Sequence, residues 1–343
     1  MNTALQIEPS SKTPLYKQLV EQIRHAIRKG DLRPGEQLPS MNILSAQSGI
    51  SKETVKKAYG ILSARGLLIA KQGKGFYVAS PEVNGRPSVL VIFDKLSIYK
   101  QILYNSFQGT LGERAEITVL MHNQNLDLMR YYLDTYLDQF DYYLVSPHFA
   151  LDPDSQAEAN RLLARIPNRK LILVDRLPEG YAGQFGAVYQ DFENDVCEGL
   201  RQGLDKLRTM DRLNVLILPT SLYGPLMQAG IRNFCDENRI PVCFMSTPPA
   251  VVRPRETYLV INSQLDWGLT ELARSIHSQG LEIGQDVHII SYNDIELNEV
   301  VLNGLSTVST DFSQMGRVAA QMILSRKFEK VHCDFRLLRR NTF

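Results

Sequence analysis

The sequence is poor in the features that mark secreted and membrane proteins. Only 4 of its 343 residues are cysteine, and these have neither C-x-x-C spacing nor a neighbouring histidine cluster: Cys197, Cys235, Cys243 and Cys333. We therefore expect reduced, buried thiols. No run approaches the ~18 consecutive apolar residues of a membrane helix, and the first residues lack a basic and then apolar leader. These absences predict a cytoplasmic protein without a membrane partner.

Signatures of catalysis and of metal binding are also missing from the sequence. It contains no G-x-S-x-G nucleophile motif, and its GKG segment lacks the spacing of a phosphate-binding P-loop. The histidines are scattered, without the i+4 or H-x-H spacing that metal sites use. We expect no catalytic residues, no metal site and no cofactor, so that the chain is not an enzyme.

The net charge of +1 conceals an uneven distribution of charge. Residues 1–80 contain 12 Lys and Arg against 5 Asp and Glu, whereas residues 81–343 contain 26 against 32. A basic N-terminal part on an acidic remainder is typical of a protein in which one domain binds a polyanion. The alternative is that the uneven charge is a solvated surface feature without a function.

Residues 1–80 have the pattern of three helices and a two-stranded hairpin. Apolar residues recur at every fourth position of an amphipathic helix over 15–29. Ser40 and Ser51 are suitable N-caps for two further helices, which end near Ser48 and Ala64 and are separated at Gly49. Segments 67–70 and 76–79 predict short strands joined by KQGKG.

Two helices joined across a glycine, with a capped second helix, form a helix-turn-helix pattern that binds double-stranded DNA. In the second helix, Ser51, Lys52, Thr54 and Lys56 point away from the apolar stripe and are candidates for base or phosphate contact. Lys71 and Lys74 lie at the hairpin tip, where they suit phosphate or minor-groove contact. A scaffold for protein contacts is the alternative interpretation.

Residues 81–87 form a linker rich in proline and glycine, and the pattern changes after it. Apolar segments of strand length alternate with helical stretches over 88–174, and the alternation begins again after about 194. This pattern predicts a mixed α/β domain over 88–343 with two doubly wound parallel sheets, or lobes, and a cleft between them. A helix over 312–325 completes the second lobe or crosses back to the first.

The N-terminal segment resembles the winged helix-turn-helix domain of the GntR family from Pro14 to Val78. The shared motifs are the PLY start, the G-x-L-x-P-G turn, the LPS entry to the second helix, the T-V pattern of the third and the G-x-G wing. The resemblance implies DNA contacts by Lys52, Thr54 and Lys56, and places Gly73 near the minor groove. Asn42 stands where the family commonly has arginine, so one contact is replaced or absent.

Residues 88–326 are similar to the effector domain of LacI-type repressors and periplasmic sugar-binding proteins, on the blocks LILVDR, YLVINSQLDWG, DVHIISYNDIE and LSTVSTDFSQMG. The resemblance implies a bilobed, periplasmic-binding-protein-like fold that binds its ligand between the lobes. It implies cleft roles for Tyr99, Asp175, Arg176, Asn262 and Asn293. The alternative interpretation makes Asp175 a strand-end cap with Arg176 as its surface partner, and makes both asparagines turn residues.

Together these features predict a homodimeric transcriptional regulator, expected to be a repressor, that binds an operator and is controlled by a small-molecule effector. The resemblance suggests a monosaccharide effector, a pentose or a deoxyhexose. A phosphorylated sugar or a nucleoside is the alternative ligand class. An enzyme fused to a DNA-binding domain is the remaining alternative, but the 263 residues after the head are too few for the pyridoxal-phosphate body that some GntR-type chains carry.

Overall fold

The computed structural model describes residues 7–8, 11, 13–64, 66–79, 86–261 and 267–343. The chain divides into two compact units. The first comprises Met1–Val89, Glu113–Thr118 and Tyr136–Asp141, and the second comprises Leu90–Gly112, Val119–Thr135 and Tyr142–Phe343. Within the described ranges, no helix combines the length and the apolarity that crossing a bilayer requires.

The N-terminal part has the predicted order of three helices and a hairpin. Its elements are α1 (Leu15–Lys29), α2 (Met41–Ser48), α3 (Lys52–Ala64), β1 (Leu68–Lys71) and β2 (Gly75–Val78). β1 and β2 pair antiparallel, as the hairpin pattern predicts. The turn between α2 and α3 needs Gly49, because its φ of 69° lies in the left-handed region that residues with a Cβ adopt at a cost.

The core of this domain forms around Tyr59 of α3. Its ring is fully buried and meets Phe76 of β2 edge to face at 4.9 Å, and its hydroxyl donates to the Pro39 carbonyl oxygen at 2.8 Å. Leu19 and Ile23, from the predicted apolar stripe of α1, are also fully buried. One aromatic residue thus links α3 to the hairpin and to the segment that enters α2, which fixes the orientation of α3.

The first lobe is built on a sheet of mostly buried apolar strands. Its strand order is β13-β7-β6-β5-β3-β4. The strands are β3 (Ser88–Phe93), β4 (Glu116–Met121), β5 (Tyr142–Val145), β6 (Leu171–Asp175), β7 (Gly186–Tyr189) and β13 (Lys330–His332), and the helices between them are α4 (Ile98–Leu111), α5 (Leu126–Tyr136) and α6 (Pro153–Leu163). β5, β6, β7 and β13 pair in parallel, as the strand–helix alternation predicts.

The second lobe repeats this architecture, with the strand order β14-β12-β11-β10-β8-β9. Its strands are β8 (Arg212–Leu216), β9 (Val242–Met245), β10 (Glu256–Val260), β11 (His288–Tyr292), β12 (Ser306–Thr310) and β14 (Phe335–Leu338). The helices of this half of the chain are α7 (Asn194–Arg201), α8 (Leu204–Leu207), α9 (Gly224–Asn238), α10 (Trp267–Ser278) and α11 (Phe312–Ser325). Within this sheet, as far as the described residues show, β12 and β14 pair antiparallel and the other neighbouring strands pair in parallel.

Two details differ from the sequence prediction. The single helix expected over about 194–209 is two helices, α7 and α8, because the backbone leaves the helical conformation at Gly203 (φ −104°, ψ 7°), and glycine is a poor helix former. The short strands β7, β13 and β14 are absent from the prediction. They are three or four residues long, so they give too little alternation for a pattern to detect.

The chain passes between the lobes three times in the described residues, after β7, after β12 and after β13. The second passage brings α11 back against α4 of the first lobe. That contact is close, because a Cβ on Gly316 would lie 2.2 Å from the Leu103 carbonyl oxygen. The prediction for residues 312–325 left two possibilities, and the helix crosses back.

Candidate functional site

A cavity of about 440 Å³ lies at the carboxyl ends of the strands of both sheets. Asp94, His148 and Asp175 line it from the first lobe, where each follows or ends a strand, and Tyr223 and Tyr292 line it from the second. Open α/β sheets bind ligands at this edge, and the volume lies within the range of small-molecule pockets. The cavity is therefore the candidate ligand site.

A buried lysine, Lys100, joins two carboxylates on the first-lobe side of this cavity. The hydroxyl of Ser97 caps α4 by accepting from the Lys100 backbone N–H at 3.3 Å, which places Lys100 in the first turn of the helix. Its Nζ lies 3.1 Å from Asp94 Oδ1 and also donates to Asp175 Oδ2. All three side chains are at least nine-tenths buried, so the ion pairs are shielded from water.

Asp175 is the centre of this buried cluster. Its Oδ2 also accepts from His148 Nε2 at 2.9 Å, and its Oδ1 accepts from the side-chain amide of Gln190. The amide oxygen of Gln190 in turn accepts from the Thr310 hydroxyl at 2.9 Å. Both carboxylate oxygens are thus occupied, and hydrogen bonds extend from Asp175 to two of the three passages between the lobes.

The pKa values of this cluster follow from competition between burial and neighbouring charge. Burial disfavours the ionised form of Asp175, but the charge of Lys100 and the contacts with His148 outweigh it, so its pKa lies well below its usual range. Burial also acts to raise the pKa of Asp94, but the charges of Lys100 and His148 outweigh it, so this pKa is lowered as well. Burial also disfavours a charged Lys100, yet the two carboxylates raise the pKa of its ammonium group. All three groups are therefore charged near neutral pH.

Tyr223 connects the second lobe to this cluster. It precedes α9, and its hydroxyl lies 2.5 Å from His148 Nδ1. Its ring stacks on Phe192 with centroids 3.8 Å apart, and the Arg176 guanidinium lies over it at 5.4 Å from the centroid. Desolvation by burial raises the pKa of the Tyr223 phenol, so the hydroxyl stays neutral.

Three polar groups of the cavity have no hydrogen-bond partner among the residues that the structure describes. The hydroxyls of Tyr99 and Tyr292 and the side-chain oxygen of Asn293 are buried and accept or donate no hydrogen bond among the described residues. Unpaired buried polar groups are costly, and a ligand with hydroxyl or N–H groups would satisfy them. Tyr99 also stacks on Phe312 with centroids 5.0 Å apart, which fixes its ring at the wall of the cavity.

The structure brings together three of the five predicted cleft residues, since Tyr99, Asp175 and Asn293 line the same cavity. Asp175 and Asn293 both have positive φ values, 73° and 69°, directly at a strand end. Such strained positions cluster at binding sites. Arg176 is next to the cavity, with its guanidinium over Tyr223 and its Nη1 atom buried and unpaired. Asn262 lies outside the described residues.

Sequence reasoning missed Asp94, Lys100, His148 and Tyr223. Asp94 gave a signal, because it directly follows an apolar strand as Asp175 ends one. A lysine in a helix gave none, since such lysines are usually exposed. His148 and Tyr223 follow strands of different lobes, so their contact depends on tertiary structure alone.

A second candidate surface lies on the helix-turn-helix domain. Lys52 and Lys56 on α3 and Asn42 on α2 are exposed. The Ser51 hydroxyl accepts from the Thr54 N–H at 3.2 Å and lies 2.8 Å from the Thr54 hydroxyl, so these two side chains cap the helix. Lys56 forms an exposed ion pair with Glu53 at 3.9 Å, and water screens such a pair so strongly that a phosphate can replace the carboxylate. Ser51 and Thr54 fix the end of the helix that carries both lysines.

The hairpin tip adds further positive charge. Lys71 and Lys74 are exposed, and Gly73 between them has a φ of 72° that allows the tight turn. The Lys71 ammonium group lies over the Tyr77 ring at 4.5 Å from its centroid. The side-chain amide of Gln37 donates to the Lys74 carbonyl oxygen at 2.6 Å, which holds the tip against the segment before α2.

Metal-binding geometry is absent from the part of the chain that the structure describes. No group of three or more His, Cys, Asp or Glu side chains is placed there to hold an ion. The cavity is lined by charged, polar and aromatic side chains.

Two models of known families match parts of the chain. Residues 15–78 match the model of the bacterial regulatory proteins of the gntR family, and residues 253–332 match that of the periplasmic binding protein-like domain. The first match covers the whole helix-turn-helix and hairpin. The second covers β10 to β13, which includes Tyr292, Asn293 and the return of α11 to the first lobe.

Two curated relatives match the N-terminal part. The HTH-type transcriptional repressor YtrA of Bacillus subtilis (strain 168) is 36% identical over 75 residues, which is 22% of this chain and 58% of YtrA. The mannosyl-D-glycerate transport/metabolism system repressor MngR of Escherichia coli (strain K12) is 38% identical over 82 residues, 24% of this chain and 34% of MngR. The chain thus spans a third to somewhat over half of these relatives.

Among solved structures, the dimeric Lac repressor with an 11-residue C-terminal deletion is similar to the larger part of the chain. The TM-score is 0.57 at 19% identity, and the match covers 74% of this chain and 98% of that one. At this identity the similarity concerns the fold, and it confirms the expected bilobed architecture.

Proposed function

We propose that this chain, which joins a GntR-type helix-turn-helix domain to a periplasmic-binding-protein-like domain, is a cytoplasmic transcriptional repressor. It binds an operator as a homodimer and releases it when a monosaccharide occupies the cleft. The observation that carries the ligand half of this proposal is the set of unpaired polar groups at Tyr99, Tyr292 and Asn293 in a cavity at the strand ends.

The DNA half of the proposal rests on the exposed cations of the N-terminal domain. Lys52 and Lys56 project from the first turns of α3, where a recognition helix meets base edges and phosphates. Asn42, Lys71, Gly73 and Lys74 supply the flanking contacts from α2 and from the wing. YtrA and MngR, which match this domain, are both named repressors, and this supports negative control.

A monosaccharide fits the chemistry of the cavity. Sugars combine hydroxyl groups with an apolar ring face, and the cavity combines unpaired hydroxyl and amide groups with the rings of Phe192 and Phe312. Within this class we keep a pentose or a deoxyhexose as the proposed effector. Asp175 then faces the ligand from the cavity lining, and Arg176 acts through the Tyr223 ring that its guanidinium covers.

A dimer is proposed because an operator with two half-sites binds two heads at once. The half-sites lie roughly 34–36 Å apart, so a modest change in the spacing of the heads prevents simultaneous binding. Ligand-dependent movement of the lobes supplies such a change, with a coupling free energy of about 1–3 kcal/mol. The Lac repressor structure with the similar fold is described as dimeric, which supports this assembly.

The test combines a ligand screen with a DNA-release assay. Thermal unfolding is followed with pentoses, hexoses, deoxyhexoses, sugar phosphates and nucleosides, because a ligand at ~100 times its Kd adds ~2.7 kcal/mol to stability. The proposal expects one free sugar both to raise Tm and to release bound DNA. A sugar that raises Tm without releasing DNA contradicts the regulatory mechanism, and a response to phosphates or nucleosides only favours the alternative ligand class.

A further inference from the structure

We propose that Lys100 is a built-in counter-ion that makes the cleft selective for an uncharged ligand, and that a phosphate ester or a carboxylate of the same sugar is rejected. This inference rests on the proposed function, because it concerns the effector of that same cleft. It assigns Lys100 the role of a positioning residue that acts on the ligand through Asp94 and Asp175.

The ammonium group of Lys100 stands where it neutralises both carboxylates of the cavity. It lies 3.1 Å from Asp94 Oδ1 and 3.4 Å from His148 Nε2, and it also forms an ion pair with Asp175. Its side chain is only 4% exposed. In this low-dielectric position, electrostatic interactions are much stronger than at the surface.

Both acids already have donors from the protein itself. Asp175 accepts from Lys100, His148 and Gln190, and Asp94 Oδ1 also accepts from the Ser146 hydroxyl at 3.0 Å. A ligand therefore meets carboxylates that are already paired. It gains little by bringing a cation to this side of the cleft.

The positive and negative charges of the side chains that line the cavity also balance without an anionic ligand. Among the described residues that line it, Asp94 and Asp175 are balanced by Lys100 and by the exposed Lys95. A phosphate or a carboxylate in the cleft would add a negative charge beside two buried carboxylates and lose its own hydration. Arg176 is outside the cavity lining, with its guanidinium over the Tyr223 ring.

The unpaired groups of the described lining residues complete the argument, because they are neutral, whereas the unpaired Nη1 of Arg176 belongs to a guanidinium outside the lining. The hydroxyls of Tyr99 and Tyr292 donate or accept, and the Asn293 side-chain oxygen accepts only. An acceptor oxygen pairs with a ligand hydroxyl or N–H and repels an anionic oxygen. Hydroxyl groups on a neutral ring are therefore the chemistry that this side of the cavity recognises.

The decisive experiment is calorimetric titration of the full-length protein with matched neutral and anionic probes at pH 7. The neutral probes are L-arabinose, L-fucose, D-ribose, D-glucose, D-galactose and uridine, and the anionic ones are ribose 5-phosphate, glucose 6-phosphate, galacturonate and uridine 5′-monophosphate. We expect a neutral probe to bind and its charged counterpart to bind at least about 100-fold more weakly. Equal or tighter binding of the charged counterpart overturns the inference.

Variants at position 100 test the role of the lysine itself. In Lys100→Met, two neighbouring carboxylates without a cation hold a shared proton, so affinity for the neutral probe becomes dependent on pH between about 5 and 8. The wild type and the surface control Lys327→Met are expected to show a flat profile over this range. Lys100→Arg, which keeps the charge, is expected to restore most of the flatness.

The outcomes separate this inference from the proposed function. An anionic probe that binds best and releases DNA overturns the role of Lys100 but leaves a ligand-controlled regulator. If no probe binds, neutral or charged, this result contradicts both the effector half of the proposed function and this inference. If Lys100→Met does not fold, the comparison of matched probes on the wild-type protein decides alone, and a flat profile in a folded Lys100→Met contradicts the positioning role.

Discussion

The hydroxyl of Tyr223, on the second lobe, lies 2.5 Å from Nδ1 of His148, on the first lobe. This hydrogen bond joins the two lobes, and it continues through His148 Nε2 to Asp175. Phe192, on the passage after β7, stacks on the same tyrosine. The lobes are thus joined across the cleft by side chains that a ligand must contact or displace.

Removing the hydroxyl of Tyr223 is expected to weaken this link while the stack on Phe192 remains. Tyr223→Phe leaves Nδ1 of the buried His148 unpaired, which costs about 1–3 kcal/mol. The matched control is Tyr99→Phe, because the Tyr99 hydroxyl has no partner among the described residues and its loss should not lower stability. Urea unfolding measures both variants, and equal stability of the two contradicts the role given to the hydrogen bond.

Tyr99→Phe is expected to change ligand binding even though it leaves stability unchanged. Tyr99→Phe removes a hydroxyl that we propose for the ligand, so it should weaken binding of the effector by about 10-fold, the equivalent of ~1.4 kcal/mol. DNA binding without ligand should not change, since Tyr99 is far along the chain from α3. Calorimetric titration of the sugar found in the screen measures this effect, and unchanged affinity removes Tyr99 from the site.

Asp175→Asn is expected to destabilise the protein at neutral pH and to alter its response to acid. Loss of one partner of a buried ion pair typically costs about 3–5 kcal/mol. Because the folded-state pKa values of Asp94 and Asp175 are lowered, their stabilisation is present above the unfolded pKa and is lost as pH falls. Wild-type stability should therefore decline from about pH 5 downward, and less steeply in the variant.

Urea unfolding between pH 3 and pH 7 measures this difference in slope. Asp152→Asn is a useful control, because Asp152 also has a lowered pKa but caps α6 at the surface, away from the cluster. A slope in Asp175→Asn that equals that of the wild type would show that the buried cluster contributes little to the acid response.

Lys52→Ala and Lys56→Ala are each expected to weaken operator binding and to flatten its dependence on salt. Each phosphate contact contributes about one unit to the slope of log K against log salt concentration. Lys57→Ala is the matched control on the same helix, because its ammonium group lies over the Tyr16 ring, 4.0 Å from the centroid. Fluorescence anisotropy at several salt concentrations measures the slopes. A larger effect for Lys57 than for Lys52 and Lys56 contradicts the assignment.

Two glycines on packed helices test the return of α11 to the first lobe. Gly316→Ala places a Cβ 2.2 Å from the Leu103 carbonyl oxygen, so the helices must separate, at a cost of about 1–3 kcal/mol. Gly109→Ala on α4 has nothing within 4 Å and should stabilise the helix by about 0.5–1 kcal/mol. Thermal unfolding compares them, and equal Tm values would contradict the close contact of α4 with α11.

The sequence predicted features that are encoded locally. The apolar period predicted α1 and α11 with the bounds they have, since each carries a clear apolar stripe. The Asp311 side chain caps the start of α11, and α1 ends at Gly30, whose backbone is left-handed. Asp175 and Asn293 were predicted from the resemblance to LacI-type effector domains, and not from the residue pattern alone. Both line the cavity at the carboxyl ends of strands, where open parallel sheets bind ligands.

The charge cluster could not be predicted, because its members come from separate elements. Lys100 is polar at a helix position where exposure is the rule, and only the positions of Asp94 and Asp175 explain its burial. The order of the strands brings these residues together, and no spacing in the sequence records it. Strand β14 was missed for the same reason, because it depends on a tertiary contact: it pairs antiparallel with β12.

The proposed function requires that one chain couples ligand binding in the cleft to DNA binding by the N-terminal domain. The most direct test selects DNA sites from a random pool with the full-length protein, then titrates a selected site by anisotropy with and without the sugar identified in the screen. We expect sequence-specific binding that weakens at least about 10-fold with the sugar, and an equal weakening of sugar binding by DNA. Specific binding that the sugar leaves unchanged, or no specific binding at all, would contradict it.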